Sequence, residues 1–169
     1  TRDNVPRIDY SGGEDILGSQ LVTNGDFIEG LTGWDKSPEA TLSVTNDQLD
    51  IQSSGGGGEY GYAFSTINFI SGKTYRIELD VISANITNHI RVGASADFNA
   101  NPDNIFGSGD IGIGSYSINW VATNNYTYLG IGGRNDVTTL VIDNVSVKEI
   151  TGQTAAASCP HILAEPQRT

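Results

Sequence analysis

The sequence predicts an all-β domain: an antiparallel β-sandwich of jelly-roll topology with extended N- and C-terminal arms. Three observations carry this reading. Residues 139–150 alternate apolar and polar for a full strand, which needs a partner sheet to bury Leu140, Ile142, Val145 and Val147. Glycine supplies 21 of 169 residues, spaced between short aromatic and β-branched runs, as in chains of many short strands and turns. No window shows the apolar period of an amphipathic helix, and no run of about 18 apolar residues offers a membrane span.

Taken in order, residues 1–19 read as an irregular arm, because Pro6 and the Asp9 to Gly13 cluster break regular structure. The body spans 20–150. It opens with a strand at Leu21-Val22 before the Asn24-Gly25 turn signal. Ala40 to Val44 and Gln48 to Gln52 alternate across Thr45-Asn-Asp47, which predicts a hairpin. Gly55 to Gly58 mark a loop, and Tyr60 to Phe69 hold one strand or two short ones. Thr74 to Ile82 put Tyr75, Ile77, Leu79 and Val81 on one face, and His89 to Ser95 form the next strand. Asp97 to Gly114 read as a long polar loop. Ser115 to Val121 and Tyr126 to Gly132 are expected to pair across Thr123-Asn-Asn125, with the closing strand last. Residues 151–169 form a second arm, carrying Pro160 and Pro166.

The net charge of −11 argues against nucleic acid, which demands Lys and Arg, and against anionic membrane surfaces. It serves solubility, or some carboxylates hold a divalent cation. The single Cys159 excludes an internal disulfide framework; it is a small apolar residue in the tail or an intermolecular bridge. The chain contains no Met and opens on polar residues, so it reads as processed or as a segment of something longer, without a secretory leader at Thr1.

Three motifs carry a resemblance: Asn24-Gly-Asp-Phe-Ile-Glu-Gly with Gly33-Trp34, then Ile70-Ser-Gly-Lys-Thr-Tyr75 before a long strand, then Ile142-Asp-Asn-Val-Ser-Val147. In this order, over about 20–150, the chain resembles carbohydrate-binding modules of the xylan- and glucan-binding jelly-roll type. The flanks, Asn4-Val-Pro-Arg-Ile-Asp-Tyr-Ser-Gly-Gly13 and Cys159-Pro-His-Ile-Leu-Ala-Glu-Pro-Gln-Arg-Thr169, resemble a bracket in tailed-bacteriophage tail-fibre or virion structural proteins. The pair implies a non-enzymatic structural or adhesive subunit, on a virion surface or extracellular. Its arms would serve self-association or contact with other virion proteins, and its jelly roll would face a host-surface glycan. The alternative is a carbohydrate-binding module of a secreted polysaccharide-degrading enzyme.

The module family also implies a structural Ca²⁺ between the opening segment and the last strand, at positions matching Asp26, Glu29 and Asp143. This chain places Ile28 where the family has Glu directly after Phe. Without an ion, Asp26 caps a turn and Asp143 accepts backbone N–H bonds at a bulge. Sugar sites use aromatic faces with a few placed polar groups. The candidates are Tyr60, Tyr62, Tyr116, Tyr126 and Tyr128, with Arg91, Asn119 and Arg134 as polar partners; Trp34 and Trp120 are expected in the core. Tyr60 and Tyr62, two apart, share a face of their strand. Neither His89 nor His161 adjoins a nucleophile motif, no carboxylate pair stands out, and no Lys-Ser/Thr follows Gly58 as a phosphate loop requires. The expectation is no enzymatic activity.

Overall fold

The structure, a computed structural model, describes residues 13–54, 60–85, 90–94, 103–106, 111–134 and 139–154. The outer parts of both arms, Cys159, His161, His89 and the Gly55 to Gly58 loop lie outside these residues. So does most of the long polar loop.

The described residues form the sandwich that the alternation predicts. Its strands are β1 (Asp15–Gln20), β2 (Trp34–Lys36), β3 (Ala40–Thr45), β4 (Gln48–Ser53), β5 (Tyr60–Phe69), β6 (Thr74–Ala84), β7 (Ile90–Ala94), β8 (Asp103–Asn104), β9 (Gly114–Val121), β10 (Tyr126–Arg134) and β11 (Leu140–Gln153). The first sheet runs β3-β4-β11-β6-β9, with β1 also paired to β11; the second runs β2-β5-β10-β7-β8. Every pairing is antiparallel. From β4 onward the chain keeps crossing between the layers, so neither layer can form its core without the other.

The core is the inward half of each alternation. Tyr75, Ile77, Leu79 and Val81 of β6 face Leu129 and Ile131 of β10, with Leu140, Ile142, Val145 and Val147 of β11, and all are buried. Burial of each such side chain contributes roughly 1.5–3 kcal/mol. Phe69 meets Tyr75 and Trp120 edge-on, with ring centroids 5.0 and 5.3 Å apart. Trp34 and Trp120 are both in the core. The β3–β4 hairpin turns through Asn46 and Asp47, both at positive φ (53° and 58°), the twist that a two-residue hairpin favours.

Three expectations are corrected. Residues 15–20 are not irregular: they form β1, an edge strand paired with Lys148 to Gln153 of β11. Its register shifts twice, which erases the alternation that a sequence reading needs. Leu21-Val22 is not a strand. It bends away, although Leu21 N–H still donates to Val147 C=O at 2.8 Å. Finally, β9 and β10 do not form a hairpin but lie in different sheets. Their connection is tied to the β5–β6 turn instead: Gly72 N–H donates to Ala122 C=O, Ala122 N–H to Lys73 C=O, and Ser71 N–H to Asn125 Oδ1. Those bonds turn the chain across the sandwich.

Candidate functional site

The opening turn and the last strand meet, as both motifs require. Asn24 organises the turn. Its Nδ2 donates to Gly30 C=O (2.8 Å) and Thr32 C=O (3.3 Å), its Oδ1 accepts from Glu29 N–H, and its C=O accepts from Trp34 Nε1–H. Phe27, buried at positive φ, packs on Trp34 with centroids 5.3 Å apart. The turn is clipped to β11 by Val145 N–H donating to Gly25 C=O at 2.8 Å. A Cβ on Gly25 would stand 1.9 Å from Val145 O, so only glycine fits. Across this contact β11 bulges: its inward residues change phase between Ile142 and Val145, and Asn144 takes φ 53°.

The cation residues fall around this clip without converging. Asp26 and Glu29 are exposed, and one carboxylate oxygen of Asp143 accepts from Asn144 N–H at 2.7 Å. Among the described residues no three acidic, His or Cys side chains gather as metal donors. A hard cation wants six to eight oxygens, so these side chains alone do not fit one.

The two outward faces of the sandwich differ in kind. On the first sheet, polar side chains bind one another. The Asp15 carboxylate accepts from Gln153, Asn119 and Arg76, and these hydrogen bonds, led by Gln153, hold it below the usual carboxylate range. Asp80 is lowered likewise, first by Ser115 and then by Asn144, whose Nδ2 lies 2.8 Å away. Asn119, a candidate sugar reader, belongs to this network.

The second sheet presents aromatic surface over a floor without side chains. Odd-numbered residues 61–69 of β5 are buried, which turns Tyr62, Phe64, Thr66 and Asn68 outward. Register then builds rows across the sheet. One row is Tyr62 (β5), Gly132 (β10), Arg91 (β7). The next is Asp35 (β2), Phe64 (β5), Gly130 (β10), Gly93 (β7), Asn104 (β8). On the other side of the first row, Tyr60 is opposite Arg134. Tyr62 and Phe64 rings lie 6.0 Å apart, and Tyr128 meets Phe64 edge-on at 5.0 Å. Gly132 cannot be replaced: a Cβ would stand 2.4 Å from Tyr62 Cβ and 2.5 Å from Gly61 O.

The structure therefore brings Tyr62, Tyr128 and Arg91 to one face, while Tyr60 and Arg134 are backbone partners whose side chains lie outside the described residues. It does not bring Tyr116 or Tyr126 there. Tyr116 sits in β9 of the other sheet, its hydroxyl bound to Gly112 N–H and C=O and its ring against Phe106. Tyr126 is opposite the buried Phe69 and packs on Trp120. A register shift between Tyr126 and Tyr128 turns only the second outward. Phe64 was missed, although it continues the two-residue spacing of Tyr60 and Tyr62. The glycine floor was missed too, since its residues align only once the strands pair.

No protein-family model matches the chain, and no curated protein matches it significantly. Solved structures do. The CBM22-1 xylan-binding domain of Paenibacillus barcinonensis Xyn10C superposes with a TM-score of 0.57 at 10% identity, covering 84% of this chain and 99% of that one. A CBM4 structure gives 0.54 at 18% identity, covering 76% and 99%. The enzymatically active domain of tailspike protein 4 from bacteriophage CBA120 gives 0.52 at 19%, covering 78% of this chain but 21% of that one. At these identities what is shared is the fold, the jelly roll of carbohydrate-binding modules.

Proposed function

We propose that the protein is a non-enzymatic glycan-binding module whose ligand lies across the outer face of the second sheet. One observation carries this reading: the Tyr62, Phe64 and Tyr128 rings stand beside outward glycines on neighbouring strands. Aromatic faces meet the C–H faces of pyranose rings, and a floor lacking side chains lets a chain of sugars approach the sheet. The likeness to a xylan-binding domain supports the reading. It is tested on a broad glycan array with wild type, Tyr62→Ala and Tyr128→Ala. Binding that both substitutions leave unchanged defeats it.

The finer reading places this module on a viral particle or filament, with the flanks used in assembly. Besides the flank motifs, the exit of the chain supports it. Thr154 N–H donates to Glu14 C=O at 2.8 Å, and Glu14 N–H to Thr154 Oγ1, so both flanks leave from one point. The competing reading, an accessory module of a polysaccharide-degrading enzyme, draws on the xylanase modules among the similar structures. Native mass with and without residues 1–13 and 155–169 separates them. Trimming that abolishes self-association favours assembly, and an unchanged monomer favours the accessory module. The trim must stop there, because a cut at Gln20 and Ile150 would remove β1.

A further inference from the structure

We propose that the body pairs edge to edge with a second copy of itself through β3, extending the first sheet antiparallel across a two-fold axis. Five strands are edges among the described residues, and four of them are guarded. β2 and β8 are three and two residues long. β1 is interrupted by two register shifts. β9 is lined with acid, since Ser115, Ser117 and Asn119 bind the carboxylates of Asp80, Glu78 and Asp15. Short strands, bulges and charge all deter pairing. β3 has none of these: its six residues carry no charge and no proline, and its register with β4 is unshifted. Thr41, Val44 and Thr45 are β-branched, which suits a strand.

Hydrogen bonding shows where this edge is open. Its phase is fixed at both ends of the hairpin. Thr45 and Gln48 close a two-residue turn, and Ser54 N–H donates to Glu39 C=O at 2.8 Å. Residues 39, 41, 43 and 45 therefore bond to β4, and Ala40, Leu42 and Val44 turn their N–H and C=O out of the sheet. At Ala40 both groups are capped: its N–H donates to Ser37 C=O at 3.1 Å, and its C=O accepts from Lys36 Nζ at 2.7 Å. Among the described residues nothing caps those of Leu42 and Val44.

These groups fit their own copy. A two-fold axis normal to the sheet keeps inward side chains inward, so facing residues share parity. Centred on Ser43, it sets Leu42 against Val44 and Thr41 against Thr45. Leu42 and Val44 then exchange both bonds, and their half-buried side chains are covered. Two copies of charge −11 can meet only over a neutral strip, and residues 40–46 are one. The nearest carboxylate behind Ser43 is Asp50 on β4. Across the axis two such residues stand three strand spacings or about 14 Å apart, beyond the screening length of about 8 Å. An edge about 20 Å long makes a small interface, so the dimer is weak and reversible. The same axis points both second sheets one way, which would present two ligand faces together; that consequence, unlike the pairing, rests on the glycan reading.

The test needs no glycan. Full-length protein is sedimented from about 1 μM to about 1 mM, where a monomer should pass into a dimer, more readily in high salt because like net charges repel. Amide exchange at the two extremes should slow at Leu42 and Val44 in the concentrated sample. Ser43→Lys, at an exposed position, sets two ammonium groups on the axis. It should weaken the dimer about tenfold or more at unchanged melting temperature, whereas Ser117→Lys on β9 should not. Should Ser43→Lys fail to fold, exchange in the wild type decides. A monomer at every concentration overturns the proposal. So does association in which both amides exchange alike at the two extremes, since the flanks or another edge then carry it. Neither result bears on glycan binding, which the array measures separately.

Discussion

The outer surfaces of the two sheets share one core and follow opposite rules. On the first, Asp15, Arg76, Asn119 and Gln153 satisfy one another, and Asp80 is held by Asn144. On the second, the Tyr62, Phe64 and Tyr128 rings pack against one another beside glycines. The first surface fastens strands, β1 above all. The second is built at the expense of side-chain packing, since three outward positions, Gly93, Gly130 and Gly132, contribute none. Gly132 is forced by its close approach to Tyr62, but at Gly93 and Gly130 a protein selected for stability alone would place β-branched residues. The comparison supports the proposed site on the second face without appeal to similarity.

Four measurements would break or sharpen this contrast. The largest effect is expected from Tyr62→Ala combined with Tyr128→Ala. Glycan affinity should fall by at least about 2 kcal/mol, roughly 30-fold, while folding loses only about 1 kcal/mol of ring contact per substitution. A loss confined to stability would make this face structural. Next, Asn24→Ala removes the amide that binds Gly30, Thr32 and Glu29. At about 1 kcal/mol per bond it should cost about 2–3 kcal/mol in denaturant unfolding and leave glycan affinity unchanged.

Smaller still is the acid response. Asp15 and Asp80 titrate lower in the folded chain than the ordinary aspartate value of 3.8 because their ionised forms accept hydrogen bonds. Their stabilisation is complete above 3.8 and is lost as pH falls through the lowered folded values. Asp15→Asn and Asp80→Asn should flatten the decline of melting temperature below that pH, and a parallel decline in both variants would show the carboxylates to be idle. The smallest effect is expected from chelation. The acidic side chains at the opening turn do not converge, and Asn24 with the Gly25–Val145 bond already holds it. EDTA should leave the melting temperature unchanged. A drop reversed by Ca²⁺ would instead place an ion at Asp26 and Asp143, with backbone oxygens completing its shell.

What the sequence made legible was whatever alternation records. The inward residues of β6 and β11 and the β3–β4 hairpin follow from period and turn chemistry, and the burial of Trp34 and Trp120 from the tendency of large aromatics to fill a sandwich core. What it hid was the choice of layer. β9 and β10 look like a hairpin because three turn-forming residues join them. The bonds that send β10 to the other sheet come from Ser71, Gly72 and Lys73, fifty residues earlier in the chain. β1 was hidden for a similar reason, since its anchors, Arg76, Asn119 and Gln153, are all distant. The site suffered most. Tyr116, Tyr126 and Tyr62 are equivalent as letters, and only register sends the first two to packing and the third outward.

The pairing of Glu14 with Thr154 has a mechanical meaning. Both ends of the body emerge side by side from one two-stranded stem, so tension applied between the flanks enters at that pair. It would open the stem rung by rung, like a zip, and would not drag the two layers past each other. A load applied to the outer face of the second sheet takes a different route, through β5 and β10 into the core. The stem thus yields before the layers part, which makes it the fuse of the fold.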